Sequence, residues 1–88
     1  MRFKPTKQQQ NEAMAGVFEL YHNPINEKRY DHYIRALMYA VMLYPNNVSM
    51  VESITERLNS RLIRPLSLKE EKQARMHLRG WLQDDLFD

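Results

Sequence analysis

The sequence predicts a small all-α protein, a single bundle of about four helices with short connections. Apolar residues recur at helical spacing in four separate stretches, and each stretch opens with residues typical of a helix start. No stretch alternates between polar and apolar residues with a period of two, so no sheet is expected. Eighty-eight residues make one domain, and short connections place consecutive helices side by side.

The first helix is expected to run from about Lys7 to His22. Thr6 and Gln9 have the spacing of a capping box, in which two side chains satisfy backbone N–H groups at a helix start. The expected buried face, at i, i+3, i+4 and i+7, comprises Met14, Val17, Phe18 and Tyr21. The residues expected to point away from the core are Glu12, Gly16 and Glu19.

The second helix is expected to begin at Asn23 and Pro24 and to end near Tyr44. Asparagine is a favoured N-cap, and proline is tolerated at the first helical position because its missing N–H has no partner there. One continuous apolar stripe follows, formed by Tyr30, Tyr33, Ile34, Leu37, Met38, Val41 and Tyr44. This stripe predicts that the second helix is central.

Two more capping boxes predict the third and fourth helices. Ser49 with Glu52 indicates a helix over about 50–63, and Ser67 with Glu70 indicates one over about 68–84. Pro65 separates them. The third helix is expected to bury Val51, Ile54, Leu58 and Leu62, and the fourth Ala74, Leu78, Trp81 and Leu82.

Composition argues against an enzyme. A chain of this length buries only about 60 to 65% of its unfolded surface, which leaves few side chains to line a catalytic cavity. Absence of cysteine excludes thiolate metal sites and a cysteine nucleophile, and two isolated glycines exclude a phosphate-binding loop. No catalytic residue, metal or cofactor is therefore predicted. Three histidines on different helices lack metal-ligand spacing and are expected to be surface or boundary residues: His22, His32 and His77.

Neither export nor membrane insertion is expected. The first basic residues are followed by a polar run and not by the apolar segment of a signal peptide. The longest apolar run, Ala36 to Tyr44, has nine residues, against the roughly 20 that cross a bilayer. A cytoplasmic location is the expectation.

Positive charge is concentrated in one part of the chain. Residues 57–79 hold seven basic and two acidic side chains, a sum of +5, whereas residues 1–56 are balanced. Such cations neutralise phosphates, and a helix–turn–helix would present one helix to DNA. The candidate nucleic-acid-binding residues are Arg57, Arg61, Arg64, Lys69, Lys72, Arg75 and Arg79. Glu70 and Glu71 count against this hypothesis because they occupy the first turn of the fourth helix, where a recognition helix would approach DNA. The alternative is that these two acids stabilise the helix dipole and the cations form a solvent-exposed face.

The second helix has a further apolar element on the side opposite its main stripe. It consists of Tyr39, Met42 and Leu43. Either the first or the fourth helix covers these residues, or they bind a partner or a second copy of the chain, since exposed apolar patches mark interfaces. A homodimer is one form of that second alternative.

The last residues carry the most specific motif. The sequence divides into a helical domain, 1–83, and an acidic tail, 84–88, with charge −3. Residues 83–87, Gln-Asp-Asp-Leu-Phe, resemble the peptide by which many bacterial proteins bind the DNA sliding clamp, although that family prefers leucine at Asp84. The resemblance implies that Gln83, Leu86 and Phe87 enter apolar pockets on the clamp. Alternatively, Leu86 and Phe87 cover the end of the bundle.

These observations favour a small non-enzymatic protein that binds another protein, with the sliding clamp as candidate partner and adaptor or inhibitor as the candidate role. The alternative is a helix-turn-helix-like DNA-binding regulator that uses the basic residues of the third and fourth helices.

Overall fold

A computed structural model describes residues 4–78, with side chains as far as Met76. Four helices follow in order, and this part of the chain contains no strand: α1 (Lys7–His22), α2 (Arg29–Leu43), α3 (Val48–Asn59) and α4 (Leu68–Leu78). Helix α2 packs against the other three, and α1 also touches α3. The predicted all-α bundle with a central second helix is confirmed.

Two of the predicted helix starts are confirmed in atomic detail. Before α1, the backbone N–H of Gln9 donates to Thr6 Oγ1 at 3.1 Å, and the N–H of Thr6 donates to Gln9 Oε1 at 2.8 Å. Before α4, Ser67 and Glu70 exchange the same pair of bonds at 3.0 and 3.3 Å. Each capping box satisfies donors that the first helical turn leaves without a partner.

The predicted start of α2 at Asn23 and Pro24 is wrong. The backbone N–H of Asn23 donates to the Glu19 carbonyl at 2.8 Å, so Asn23 ends α1 instead of beginning α2. The N–H of Ile25 donates to Nδ1 of His32 at 3.1 Å, and the Ile25 side chain packs against the core. These contacts hold residues 24–28 in a turn, and α2 begins at Arg29.

Both predicted ends of α3 are also wrong. Asn47, and not Ser49, is the N-cap, because its side chain accepts the N–H of Met50 at 3.1 Å. The helix ends at Asn59 instead of residue 63. The Asn59 amide binds the backbone of Leu66 in both directions: Oδ1 accepts its N–H at 2.9 Å, and Nδ2 donates to its carbonyl at 3.2 Å. This pairing favours a reversal of the chain in place of further helix.

The core consists of two clusters, and α2 contributes to both. One cluster comprises Tyr33, Leu37, Ala40, Val41, Val51, Leu66 and Ala74. The other comprises Leu20, Ala36 and Leu58, with Val17, Ile25, Tyr39 and Ile54 packed against it. Most of the predicted core positions of α2, α3 and α4 that are described lie in or against these clusters, and Leu62 is buried although it follows α3. Tyr30 and Tyr44, at the two ends of the predicted α2 stripe, are exposed.

The predicted buried face of α1 is largely wrong. Ala13 and Leu20 are buried, whereas Met14, Phe18 and Tyr21 are 47%, 59% and 37% exposed. Gly16, expected to point away, instead faces the ring of Tyr39 on α2: a Cβ at Gly16 would lie 2.5 Å from two carbons of that ring. The missing side chain lets α1 approach α2 on its small-residue side, which turns the bulky apolar side chains outward.

Arg29 joins three parts of the fold. Its guanidinium donates to the backbone carbonyls of Arg64 and Pro65. It also donates to both carboxylate oxygens of Glu70, at 3.0 and 3.3 Å. A planar guanidinium with five donors suits such paired acceptors. The start of α2 is thereby tied to the α3–α4 connection and to the first turn of α4.

We expect Gly16→Ala to destabilise the protein, and to do so only while the Tyr39 ring is present. The added methyl group must displace the ring, at a cost of about 1–3 kcal/mol for overpacking, which outweighs the gain of up to about 1 kcal/mol in helix propensity. In a Tyr39→Ala background, Gly16→Ala should instead raise the free energy of unfolding by about 1 kcal/mol. Urea unfolding of the four proteins measures both effects. The same effect in both backgrounds would contradict the proposed contact.

Candidate protein-binding surface

An apolar stripe runs along the outer side of α1. Met14, Phe18 and Tyr21 have the i, i+4, i+7 spacing of one helix face, and all three are exposed. His22 extends the stripe, with its ring parallel to that of Phe18 and edge-on to that of Tyr21, at centroid distances of 6.5 and 5.3 Å. An exposed apolar patch on a small protein is typical of a surface that binds another molecule. We call Met14, Phe18 and Tyr21 the α1 stripe.

Arg61 fastens the end of this stripe to the residues that follow α3. Its Nε donates to the backbone carbonyl of Tyr21 at 3.0 Å, and its guanidinium lies 4.6 Å from the centroid of the Tyr21 ring. The contact combines a hydrogen bond to a terminal helix carbonyl with a cation–π interaction. A cation here also complements the negative end of the α1 dipole. Arg61 thus has a structural partner within the chain.

A depression of about 530 Å³ lies on the neighbouring face of α3. It is lined by Met50, Ser53, Ile54, Glu56 and Arg57. Ile54 also packs against the cluster that contains Leu20 and Val17 of α1. The α1 stripe and this depression therefore flank the line along which α1 and α3 meet, and we refer to the two together as the α1–α3 groove.

A second groove separates α2 from α4. It has a volume of about 690 Å³ and is lined by Tyr30, Ile34, Gln73 and Met76. The Tyr30 hydroxyl donates to Gln73 Oε1 across it, at 3.2 Å. Its lining is uncharged among the described residues.

Helix α1 covers part of the second apolar element of α2. Tyr39, Met42 and Leu43 are each half-buried. Tyr39 packs at Gly16, and Gln10 Nε2 donates to the carbonyl of Met42 at 3.1 Å. Coverage by a neighbouring helix, one of the two alternatives, is therefore observed for Tyr39, which packs against α1. Binding of a partner or a second copy through the three residues stays a prediction.

The predicted nucleic-acid-binding residues differ in their surroundings. Arg57 and Arg61 face the α1 side of α3, as the α1–α3 groove and the Tyr21 contact show. Arg64, Lys69 and Lys72 are exposed, Arg75 is half-buried, and Arg79 lies outside the described residues.

Two acidic side chains of α3 influence groups on neighbouring helices. Glu56 is close enough to Glu71 of α4 to raise the pKa of that carboxyl, and Glu52 acts in the same direction on the pKa of Tyr33. Acidic side chains of α3 thus act on groups of α2 and α4 among the described residues.

Glu70 and Glu71, adjacent in the first turn of α4, have opposite environments. Glu71 is 6% exposed and lies 3.4 Å from the Asn59 amide nitrogen; burial is the main cause that raises its pKa, while Arg75 opposes the rise. The pKa of Glu70 is lowered to about 2, first by the backbone N–H of Ser67 and then by Arg29. Both side chains therefore have structural roles in the start of α4.

His32 is fully buried, so the expectation of a surface or boundary residue is wrong for it. Its Nδ1 accepts the N–H of Ile25 at 3.1 Å, and its Nε2 lies 2.7 Å from the carbonyl of Leu58. A neutral imidazole with the proton on Nε2 satisfies both contacts. His22 is exposed, and the side chain of His77 lies outside the described residues. Between residues 4 and 76, no group of three histidine or acidic side chains converges to hold a metal ion.

The tail motif Gln83, Leu86 and Phe87, together with the expected core residues Trp81 and Leu82, lies outside the described residues. None of the helices within residues 4–78 has both the length and the apolar composition needed to cross a membrane.

The opposite pKa shifts of Glu70 and Glu71 predict opposite pH dependences for two neighbouring substitutions. Because the pKa of Glu71 is raised in the folded state, wild-type stability falls as pH rises from about 4.5 through that pKa. Glu71→Gln removes this loss, so it should match the wild type near pH 4 and be more stable at pH 7. Glutamine also keeps an acceptor for Asn59.

Glu70→Gln is the matched control, with the reverse sign. The stabilisation from a carboxylate of lowered pKa is present above pH 4.5 and disappears as pH falls towards about 2. This variant should therefore be less stable than the wild type at pH 7, with the difference closing at acid pH. Urea unfolding from pH 3 to pH 7 tests both, and equal pH dependence in the two variants would refute the assignment.

Comparison with protein-family models, with curated proteins and with solved structures gives no match for this chain.

Proposed function

We propose that this chain is a small non-enzymatic domain that acts by binding another protein. The observation that carries the proposal is the α1 stripe: three large apolar side chains at helical spacing, exposed beside a depression on α3. Full burial of a phenylalanine is worth about 1.5–3 kcal/mol, and a partner that covers the exposed 59% of Phe18 would recover part of this.

The use of the buried polar groups supports a binding role. His32 and Thr55 have their side-chain hydrogen bonds with backbone groups, and Asn59 binds the Leu66 backbone and Glu71. General acid–base catalysis needs a titratable side chain within reach of a reacting group, and these side chains already have structural partners. His32 and Asn59 stabilise the connections between helices, and the bond of Thr55 lies within α3.

The bacterial sliding clamp remains the candidate partner for residues 83–87, with Gln83, Leu86 and Phe87 as the proposed anchors. Two apolar anchors on a short acidic segment are sufficient for a docking peptide of moderate affinity. The role would be that of an adaptor or of an inhibitor that occupies the clamp. On this proposal the protein has two binding surfaces, the α1 stripe and the tail.

DNA binding through the basic residues is the alternative. The exposed Lys69 and Lys72 of α4 favour it, whereas the acidic Glu52 and Glu56 of α3 favour protein binding. Homodimerisation through Tyr39, Met42 and Leu43 is a further form of protein binding, restricted by the cover that α1 supplies.

Phe18→Ser should abolish binding of a protein partner through the α1 stripe without unfolding the domain, because Phe18 is 59% exposed. The full-length protein is used as bait in a nuclease-treated bacterial lysate, and each captured protein is purified and bound again to the wild type and the variant. A fall of at least tenfold in affinity is expected, equivalent to about 1.4 kcal/mol.

Ile63→Ser is the matched control, since Ile63 is 82% exposed on the α3–α4 connection and belongs to neither the α1 stripe nor the lining of the α3 depression. Purified partners that bind the wild type and both variants equally would contradict a binding role for the stripe. A protein that is captured from an untreated lysate but not from the nuclease-treated lysate would favour the DNA-binding alternative.

Calorimetry with purified bacterial sliding clamp tests the tail. Leu86→Ala combined with Phe87→Ala should weaken binding by at least tenfold, because each truncation removes buried apolar surface worth about 1–3 kcal/mol. Phe18→Ser serves as the control that leaves the tail intact. Equal clamp affinity for the wild type and the tail variant, or no binding by either, would remove the clamp as partner and leave the α1 stripe to be judged by its own experiment.

A further inference from the structure

The charges around the α1–α3 groove restrict what can bind there. On α1, Lys7 shares the helical sector of the stripe, two turns before Met14, while Glu12 and Glu19 lie more than a quarter-turn round the helix. On α3, Arg57 lines the groove, and Arg61 lies at its end over the Tyr21 ring.

Glu56 is the one acidic side chain in the lining of the α3 depression among the described residues. Set against Arg57 in the lining and Arg61 over Tyr21, it leaves this part of the groove with a net charge of +1. The surface thus combines an apolar centre with a basic edge.

From this arrangement we propose that the α1–α3 groove binds an acidic amphipathic helix of a partner protein. The inference rests on the proposed protein-binding function and specifies its partner. Apolar side chains of the incoming helix, at i, i+3, i+4 and i+7, pack against Met14, Phe18 and Met50. Its acidic side chains face the cations at the edge.

Two properties of the groove favour a helix as the occupant. The α1 stripe itself extends over two helical turns from Met14 to Tyr21, about 10 Å, which matches the i to i+7 face of a helix laid alongside it. Helices α1 and α3 border the groove, and their backbone groups are already hydrogen-bonded within each helix. A partner strand therefore has no open sheet edge to pair with here.

The partner's charge should therefore control affinity. Opposite charge at the edge speeds association and discriminates among partners, and like charge opposes binding. Exposed cations act over about 10 Å at 0.1 M salt, so the preference must weaken as salt rises.

The test uses two synthetic helical peptides of 15 residues, with the same leucine and phenylalanine positions and either glutamate or lysine at every flanking position. Each is titrated into the isotope-labelled full-length protein and followed by NMR. The glutamate peptide should bind at least tenfold more tightly than the lysine peptide at low salt, with the largest shifts at Met14, Phe18 and Met50. The difference should shrink at 0.5 M salt.

Three variants make the outcome specific. Phe18→Ser should abolish binding of the glutamate peptide, Ile63→Ser should leave it unchanged, and Arg57→Glu should reduce or reverse the preference for acidic charge. Equal affinity for the two peptides, preference for lysine, or shifts that map to another surface would overturn the proposal.

The competing occupant of the groove is the chain's own acidic segment, residues 84–88. The same titration, repeated with these residues deleted, tests this alternative. If the glutamate peptide binds only after these residues are deleted, the groove is covered by the chain itself and the proposed external partner is wrong. Binding that is unchanged by the deletion supports the proposal. A negative result with both peptides overturns this inference, while the rebinding experiment on the α1 stripe still decides the proposed function.

Discussion

The contacts of Arg29 are the constraint on which the arrangement of α4 depends. Within the described residues, helix α4 packs mainly against α2. One guanidinium ties the start of α2 to the carbonyls of Arg64 and Pro65 and to the Glu70 carboxylate. The same Glu70 also completes the capping box of α4. A single side chain therefore sets the direction of the connection and the first turn of the helix that follows it.

Buried polar side chains continue this role in the other connections. His32 holds the turn after α1 and the end of α3 at once, and Asn59 pairs with Leu66 as a strand neighbour would. A buried polar group without a partner costs about 1–3 kcal/mol, so these hydrogen bonds favour one arrangement of the turns over its competitors. At the end of α3 and before α2, these side chains bind the connecting backbone and so favour the observed helix boundaries.

The candidate binding surface follows from how α1 meets α2. The small residues Ala13 and Gly16 let the helices approach closely, so the larger apolar side chains of α1 lie outside. Arg61 then fastens the exposed Tyr21, and the cations of α3 face the same groove. An apolar stripe bordered by positive charge is the consequence, and it connects the packing of the interior to the proposed choice of partner.

The sequence by itself determined the all-α class, the central position of α2 and the capping boxes of α1 and α4. These features depend on helical periodicity or on hydrogen bonds between residues three apart, such as Thr6 with Gln9. The helical spacing of apolar residues also identified most core positions of α2 and α3, because these residues share one face of each helix.

Only the tertiary structure decided where α2 begins, where α3 ends and which face of α1 is exposed. Asn23 and Pro24 have the local chemistry of a helix start, but the hydrogen bond from Ile25 to His32 determines where α2 begins, and the pairing of Asn59 with Leu66 determines where α3 ends. The orientation of α1 depends on the absent side chain of Gly16 beside Tyr39, and the position of α4 on Arg29 and Glu70, which are 41 residues apart. No local pattern encodes such pairs, because each forms only after the chain has brought distant segments together.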